Sequence, residues 1–472
     1  MTLSRLFIFS IALFGLTLAG APAANLTKLN EFRADHGLAP LSEDRSKLEA
    51  RVQTAAELRG AQVAGLWEHW EIDPKSSVPD GEVLRAALKR SSFKRPEKAL
   101  APYVPENPIY QALQRELAKR RNTVASEMKG FVELPSPENG ELVKVGQSYP
   151  PVARLAELLV AGGYLSKSPI ELNGKYTPAV AVGVKAYQSD QGLKSDGIIG
   201  PDTFESLNKS PQAKLESLAL NANRARLLPD DLGERHIMVN LPGGMVYAMD
   251  RSGRRPALMM RVVYGKATHD QQTTIFRDQM EHVVFRPYWR IPMDIAKNEI
   301  VPKALKDPSY LSQKNYTIVA DYNSDPLPVS AENLQKVAAG QLKMRQDPGG
   351  KNSLGLVKFL FPNEHAIYLH DTPADQLFSQ SKRDFSHGCV RLEKPEAMAD
   401  WVLDDSKWSP GAIETAMSTG GKNNQWVNLD RKINVYLAYF TAFPAPGSSK
   451  MRYYQDVYRR DHQEASRLAI AD

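Results

Sequence analysis

The chain has 472 residues, which at roughly 100–200 residues per domain implies about three domains. Its 42% hydrophobic and 24% charged residues suit a globular protein and exclude wholesale disorder. Lys+Arg 60 against Asp+Glu 54 leaves a net charge of +6, too weak and diffuse to argue for nucleic acid but suited to a polyanionic neighbour, and the one cysteine, Cys389, excludes an intrachain disulfide or a four-cysteine metal site.

In chain order, Met1 to Arg5 is a short, positively charged start, and Leu6 to Ala19 is an apolar run broken only by Ser10, Gly15 and Thr17. Ala21-Pro22-Ala23 then supplies the small residues of a cleavage site, so residues 1–23 read as a secretory signal. The alternative is an uncleaved anchor, for which the run is short against a bilayer core of about 30 Å. No cysteine follows closely, which argues against a lipid anchor, and the mature chain is expected to be soluble outside the cytoplasm.

Residues 24–142 are charged and helix-like, with apolar residues at spacings of three and four over Glu43 to Leu66 and Pro108 to Glu127. Leu134-Pro135-Ser136-Pro137 reads as a linker, and no residue of this helical scaffold names a chemistry. Over 143–210 the texture changes. Val152 to Val160 carries an apolar stripe stopped by Gly162-Gly163, Thr177-Pro178 opens a second helix to about Gln188, and Thr203 leads into a third. Gly174-Lys175-Tyr176-Thr177, Val180, Val184, Tyr187-Gln188, Gly192-Leu193, Asp196-Gly197, Gly200 and Thr203 give this three-helix module its pattern, which resembles the peptidoglycan-binding type 1 domain. The resemblance implies wall binding; a helical spacer is the alternative.

From about Arg235 the period switches to two. Ile237 to Asn240, Val246 to Met249, Leu258 to Tyr264, His282 to Phe285, Ala366 to Leu369 and Ile433 to Phe440 read as strands, the first two forming a hairpin through Gly243-Gly244. Helical signals intrude at Pro395 to Leu403 and Ala412 to Met417. A charged, helix-prone stretch over 302–352, closed by Asp347-Pro348-Gly349-Gly350, reads as an insertion. The class is therefore α+β. A β-rich domain over 232–461, a sheet sandwich or partly open barrel with a helical capping insertion, follows the three-helix module and the N-terminal helices.

Chemistry concentrates in Ser386-His387-Gly388-Cys389-Val390-Arg391. A thiol attacks as thiolate, whose fraction rises beside a base or positive charge. Gly388, lacking Cβ, lets backbone approach a substrate, and its N–H with that of Cys389 is expected to face a developing oxyanion. His370, nineteen residues before Cys389 at a strand end, is the candidate general base and later general acid. A buried, inert cysteine, a Ser386 nucleophile and a zinc site are the other readings. Zinc lacks His-Glu-x-x-His or His-x-His, and Ser386 lacks Gly-x-Ser-x-Gly.

His370, a gap of 15 residues and then Ser386-His387-Gly388-Cys389 resemble the signature of the L,D-transpeptidases with a YkuD-type catalytic domain. The likeness spans about Arg235 to Asp461. It is strongest to the large Gram-negative subfamily with a helical scaffold, a peptidoglycan-binding module and a capped catalytic domain. Arg286-Pro287-Tyr288-Trp289-Arg290-Ile291-Pro292, Arg345-Gln346-Asp347-Pro348-Gly349, Tyr368-Leu369-His370-Asp371-Thr372-Pro373 and Asp456-Val457-Tyr458 add to it. Many members carry Asn shortly after the cysteine, where this chain has Leu392-Glu393.

The resemblance implies a periplasmic enzyme without metal or organic cofactor. Its partners would be two peptidoglycan stem peptides, donor and acceptor, with no nucleic acid and no lipid anchor. Cys389 would displace D-alanine to give a thioester, an acceptor amine would resolve it to a 3→3 cross-link, and carbapenems would acylate the same thiol. Ser386, His387, Gly388 and Arg391 would shape the oxyanion and substrate loop. An L,D-carboxypeptidase, a transpeptidase attaching a lipoprotein or exchanging D-amino acids, and a non-enzymatic wall-binding protein remain open. So does a lid role for the insertion.

Overall fold

A computed structural model describes residues 26–42, 46–63, 66, 81–89, 96–136, 141–167, 173–250, 255–404, 407–447 and 450–468. The expected signal at 1–23 lies outside them. Among the described residues, no helix is long and apolar enough to cross a membrane.

The N-terminal region is helical, as its spacing predicts. Ser46 caps the helix Lys47–Leu58 by accepting from the Glu49 N–H while its hydroxyl bonds the Glu49 carboxylate. The helix Pro108–Arg121 packs Tyr110, Leu113 and Leu117 against a second long helix, Pro211–Ala225, and through it against the β-rich domain. That second helix falls between two expected domains. Its buried residues include Asn221, Asn223 and Arg224, so no apolar stripe marks it.

In the three-helix module the helices are Val152–Ala161, Pro178–Asp190 and Pro201–Leu207, around a core of Leu155, Tyr176, Val184 and Phe204. Buried Gln188 accepts from the Gly197 N–H (2.8 Å) and donates to the Ile198 carbonyl (2.8 Å), fixing the Asp-Gly turn. Arg383, 3% exposed, ties the module to the β-rich domain: its guanidinium donates to the carbonyls of Gly192 in the module and of Val262, Gly243, Gly244 and Gln380 outside it.

Strands β1 (His236–Asn240), β2 (Met245–Met249), β3 (Pro256–Gly265) and β4 (Phe276–Phe285) open the β-rich domain. The insertion follows, with β5 (Trp289–Arg290), β6 (Tyr316–Val319), β7 (Pro326–Leu327) and β8 (Lys343–Gln346). Then come β9 (Val357–Leu360), β10 (Leu369–His370), β11 (Asp384–Ser386), β12 (Val390–Leu392) and β13 (Gln425–Ala438). A terminal hairpin, β14 (Ala442–Pro444) with β15 (Met451–Tyr453), ends the set. The large sheet runs β11-β3-β12-β10-β9-β4-β13-β1-β2, and an additional β2–β3 pairing closes it on itself. Among the described strands the closed ring leaves β11 with a single neighbour, β3, and seals a core of Val239, Val262, Phe285, Phe359, Leu369, Val390 and Leu437. Gly243-Gly244 forms the expected hairpin turn, with Gly244 at φ +55°.

Two sequence expectations are corrected here. The insertion is not purely helical: β5, β8, β6 and β7 form a four-stranded sheet beside helices such as Ala331–Ala338. Thr317, Ile318 and Val319 are β-branched, which explains the strand, and the insertion's apolar core already includes Ile291, Ala296 and Ile300, ahead of Pro302. The strand expected over Ala366 to Leu369 is shorter, because Ala366 takes φ +54° inside a turn held by the Asn363 side chain.

Candidate active site

The placement of Cys389 and His370 follows from one register. Strands β10 and β12 are parallel, with Leu369 opposite Val390 and His370 opposite Arg391. Leu369 and Val390 are both fully buried and point into the core. Side chains alternate along a strand, so Tyr368, His370, Cys389 and Arg391 share the other face. Cys389 and His370 are diagonal neighbours there, at a separation of roughly 7–8 Å between backbones.

Each candidate group is held in a defined state. His370 is 4% exposed, and its Nδ1 lies 2.5 Å from the Asp371 carbonyl. A carbonyl only accepts, so Nδ1 carries the proton and Nε2 keeps its lone pair. Burial, then the charge of Arg391, hold the imidazole down at about 3, so it is neutral at physiological pH. Cys389 is half-buried, and its thiol donates to the Ala366 carbonyl at 3.6 Å. The left-handed turn at Ala366 therefore sits against the nucleophile candidate. Burial pushes the thiol up to about 11 and outweighs the opposing pull of hydrogen bonds from Tyr368 and the charges of Arg391 and Lys358. The resting pair is thus a thiol and a neutral imidazole.

The loop around Cys389 is stapled by Ser386. Its buried hydroxyl donates to the Cys389 carbonyl (2.5 Å) and accepts from the Gly388 N–H (3.1 Å). With its proton committed, Ser386 positions rather than attacks. The same bond corrects the oxyanion expectation: the Gly388 N–H is consumed inside the loop, while the Cys389 N–H has no partner among the described residues. Gly388 is required for its φ of +115°, not for space, since a Cβ there would meet nothing nearer than 3.7 Å.

From Gly388 a chain of hydrogen bonds runs into the C-terminal segment. Thr273 Oγ1 donates to the Gly388 carbonyl (2.8 Å) and accepts from the Gly265 N–H (2.9 Å). Tyr458 donates to the Gly265 carbonyl (2.8 Å) and accepts from the Thr273 N–H (3.1 Å). Tyr439 accepts from the Tyr458 N–H and donates to Asp456 (2.5 Å). His387 points outward instead, its Nε2 2.6 Å from Glu299 in the π-helical turn Ala296–Ile300 of the insertion. That contact joins the cap to the loop.

On the same face, a cavity of about 510 Å³ opens between the sheet and the cap, lined by Tyr288, Arg290, Arg345, Lys358 and Trp426 among others. A second cavity, of about 540 Å³, lies elsewhere, around Arg235, Trp401 and Trp408, away from Cys389. Among the described residues no cluster of three or more His, Cys, Asp or Glu could hold a metal.

Residues 234–415 match the family model of the YkuD L,D-transpeptidase catalytic domain. The chain carries an L,D-transpeptidase catalytic domain. Residues 148–207 match the putative peptidoglycan binding domain, so the three-helix module is a peptidoglycan-binding type 1 domain. A putative L,D-transpeptidase of Haemophilus influenzae is 30% identical over 281 residues, 58% of this chain and 55% of that protein. The chain thus spans about half the length of the curated relative it matches. Similar solved structures are an L,D-transpeptidase segment from Xylanimonas cellulosilytica and a fused Zn-dependent amidase/peptidase/peptidoglycan-binding domain-containing protein from Clostridium acetobutylicum. The first shares 15% identity and covers 65% of this chain and 98% of that one, with a TM-score of 0.18. The second shares 13% and covers 63% and 100%, with a TM-score of 0.18.

Of the sequence-derived site residues, His370, Cys389 and Arg391 meet on one face of the L,D-transpeptidase domain, Ser386 and Gly388 form the loop beneath, and His387 turns to the cap. In the sequence Tyr368 stands out only as part of the stretch around His370, and Thr273 not at all. Tyr368 lies two residues before His370 on the strand path, which alone places it on the same face. Thr273 lies on a loop, where no periodicity speaks for it.

Proposed function

We propose that the chain is a peptidoglycan L,D-transpeptidase working through a Cys389 thioester. The observation that carries this reading is the shared face of Cys389 and His370, with Nε2 of the imidazole left free by the Asp371 bond. In this reading Nε2 takes the thiol proton as sulfur attacks the carbonyl before a terminal D-alanine of the donor stem. The tetrahedral oxygen is received by the unbonded Cys389 N–H. His370 then returns the proton to the leaving D-alanine amine. An acceptor side-chain amine displaces sulfur, giving the 3→3 cross-link, and the thiol recovers its proton.

The peptidoglycan-binding module, docked through Arg383, would hold the wall near this face. The signal-like residues 1–23 and the wall substrate support a periplasmic location, and carbapenems would acylate the same sulfur. The test is intact-mass measurement of the purified chain with a tetrapeptide stem, and muropeptide analysis with an acceptor. A thioester adduct absent from Cys389→Ala, followed by 3→3 dimers, is expected. Tripeptides without dimers would assign a carboxypeptidase instead, and no Cys389-dependent adduct would leave a wall-binding protein.

A further inference from the structure

Some buried arginines of this chain meet acids: Arg33 meets Glu57, and Arg224 meets both Asp461 and Glu464. Others, Arg226 and Arg383 among them, donate to backbone carbonyls instead. Beside Cys389 acidic partners are absent among the described residues. Arg391, Lys358 and Arg290 form no ion pair with any described acid, and the Arg391 Nε is buried without a hydrogen-bond partner. Their placement is not accidental to the site. Lys358 on β9 stands opposite His370 on β10, and His370 stands opposite Arg391 on β12, so two cations flank the imidazole in one row across three strands. Neighbouring strands lie about 4.8 Å apart. Lys358 also faces the cavity under the cap, where Arg290 joins it and Asp325 is the acidic residue of the lining.

Like charges in a partly dry row oppose one another. Burial, then the charge of Arg290, lower Lys358 to about 8. A row of like charges without an acidic partner is eased by an anion placed in it. The cavity has room for a peptide end, and Arg290 and Lys358 in its lining offer one forked and one point-like donor for a carboxylate.

We propose that Arg391, Lys358 and Arg290 form a carboxylate-binding strip that seats a free carboxylate of the stem peptide against the reacting thiol. The proposal rests on the acyl-transfer reading above and deepens it: the strip selects donors by charge. The carboxylate is either the terminal one of the donor or an internal one of the stem, and the two are separable.

The experiment measures Cys389 acylation of the full chain by intact mass, using a native tetrapeptide, the same peptide with its terminal carboxyl amidated, and peptides with each internal carboxyl amidated. One amidated donor should lose about 10- to 100-fold in kcat/KM, mainly through KM, and so identify the carboxylate. Lys358→Met and Arg290→Gln should lose a similar factor with the native donor and no longer distinguish it from that amide, whereas Lys358→Arg should keep the distinction. Acylation of wild type by every donor within about twofold would overturn the strip while leaving the acyl-transfer reading intact, as would Lys358→Met that still discriminates. No acylation by any donor would overturn both.

Discussion

Replacing Ser386 with alanine separates a stapling hydroxyl from a nucleophilic one. The side chain is 2% exposed and makes two bonds, to the Cys389 carbonyl at 2.5 Å and from the Gly388 N–H at 3.1 Å. Alanine fits the space but leaves a buried carbonyl and a buried N–H without their partner. At about 1–3 kcal/mol for each orphaned group, the loss is about 2–6 kcal/mol, a sizeable part of the roughly 5–15 kcal/mol that keeps a domain folded. The released Gly388 N–H and a looser loop also misplace the sulfur, so acylation should slow about 10- to 100-fold, at one decade per ~1.4 kcal/mol. Urea unfolding gives the first figure and time-resolved intact mass the second. Ser386→Ala should still carry its adduct, on Cys389. The reasoning is refuted if the variant unfolds within ~0.5 kcal/mol of wild type and reacts at an unchanged rate. An adduct retained by Cys389→Ala on Ser386 would refute it from the other side.

Further outcomes follow from the surroundings of His370, Cys389 and Arg383. His370 must be neutral to take a proton and stays so down to about pH 3, so the acid limb of kcat/KM for acylation should be absent near pH 6.5, while iodoacetamide alkylation of Cys389 should climb towards pH 11. The depressed imidazole also contributes stability that is full above pH 6.5 and is lost as pH falls towards 3, at up to ~1.4 kcal/mol per pH unit; His36, buried and likewise lowered to about 3, adds its own share, and His370→Gln should remove only the first part of the slope. Arg383→Met strands buried carbonyls on both sides of the module contact and should cost about 3–5 kcal/mol, with faster proteolysis between the peptidoglycan-binding and catalytic domains. Unchanged proteolysis would show that the module is held by other contacts.

What could be read from the chain beforehand was whatever is local. The helices of the module, the hairpin at Gly243-Gly244 and the pairing of His370 with the Ser386–Cys389 loop are encoded in short stretches with turn chemistry or alternation. Ring closure, by contrast, needs β1 against β13 and β3 against β12, strands far apart in the chain with no shared motif. The four-stranded sheet of the insertion was obscured by charged neighbours, although Thr317-Ile318-Val319 carried the signal. Ionisation states were not legible at all. The residues Cys389, His370 and Arg391 suggest an activated thiolate, yet burial reverses that expectation, and burial is a property of the assembled fold. Lys358 was invisible for a related reason: only the β9–β10 register puts it across from His370.

The hydrogen-bond chain from Gly388 decides how far the catalytic unit extends. The family match ends at residue 415, but the Gly388 carbonyl is held by Thr273, Thr273 by Tyr458, and the Tyr458 backbone by Tyr439. Long strand β13 reaches residue 438 and pairs with both β4 and β1, so without it the ring has no continuous wall. A fragment ending at 415 would keep Ser386 to Arg391 yet lose the strand and tyrosines that fix their backbone. The positive φ at Gly388 is then held by Ser386 and by a Thr273 that has lost its Tyr458 anchor, and the loop carrying the sulfur loosens. The working domain is therefore the ring together with the segment through Tyr458, in which residues more than fifty positions beyond Cys389 set its geometry.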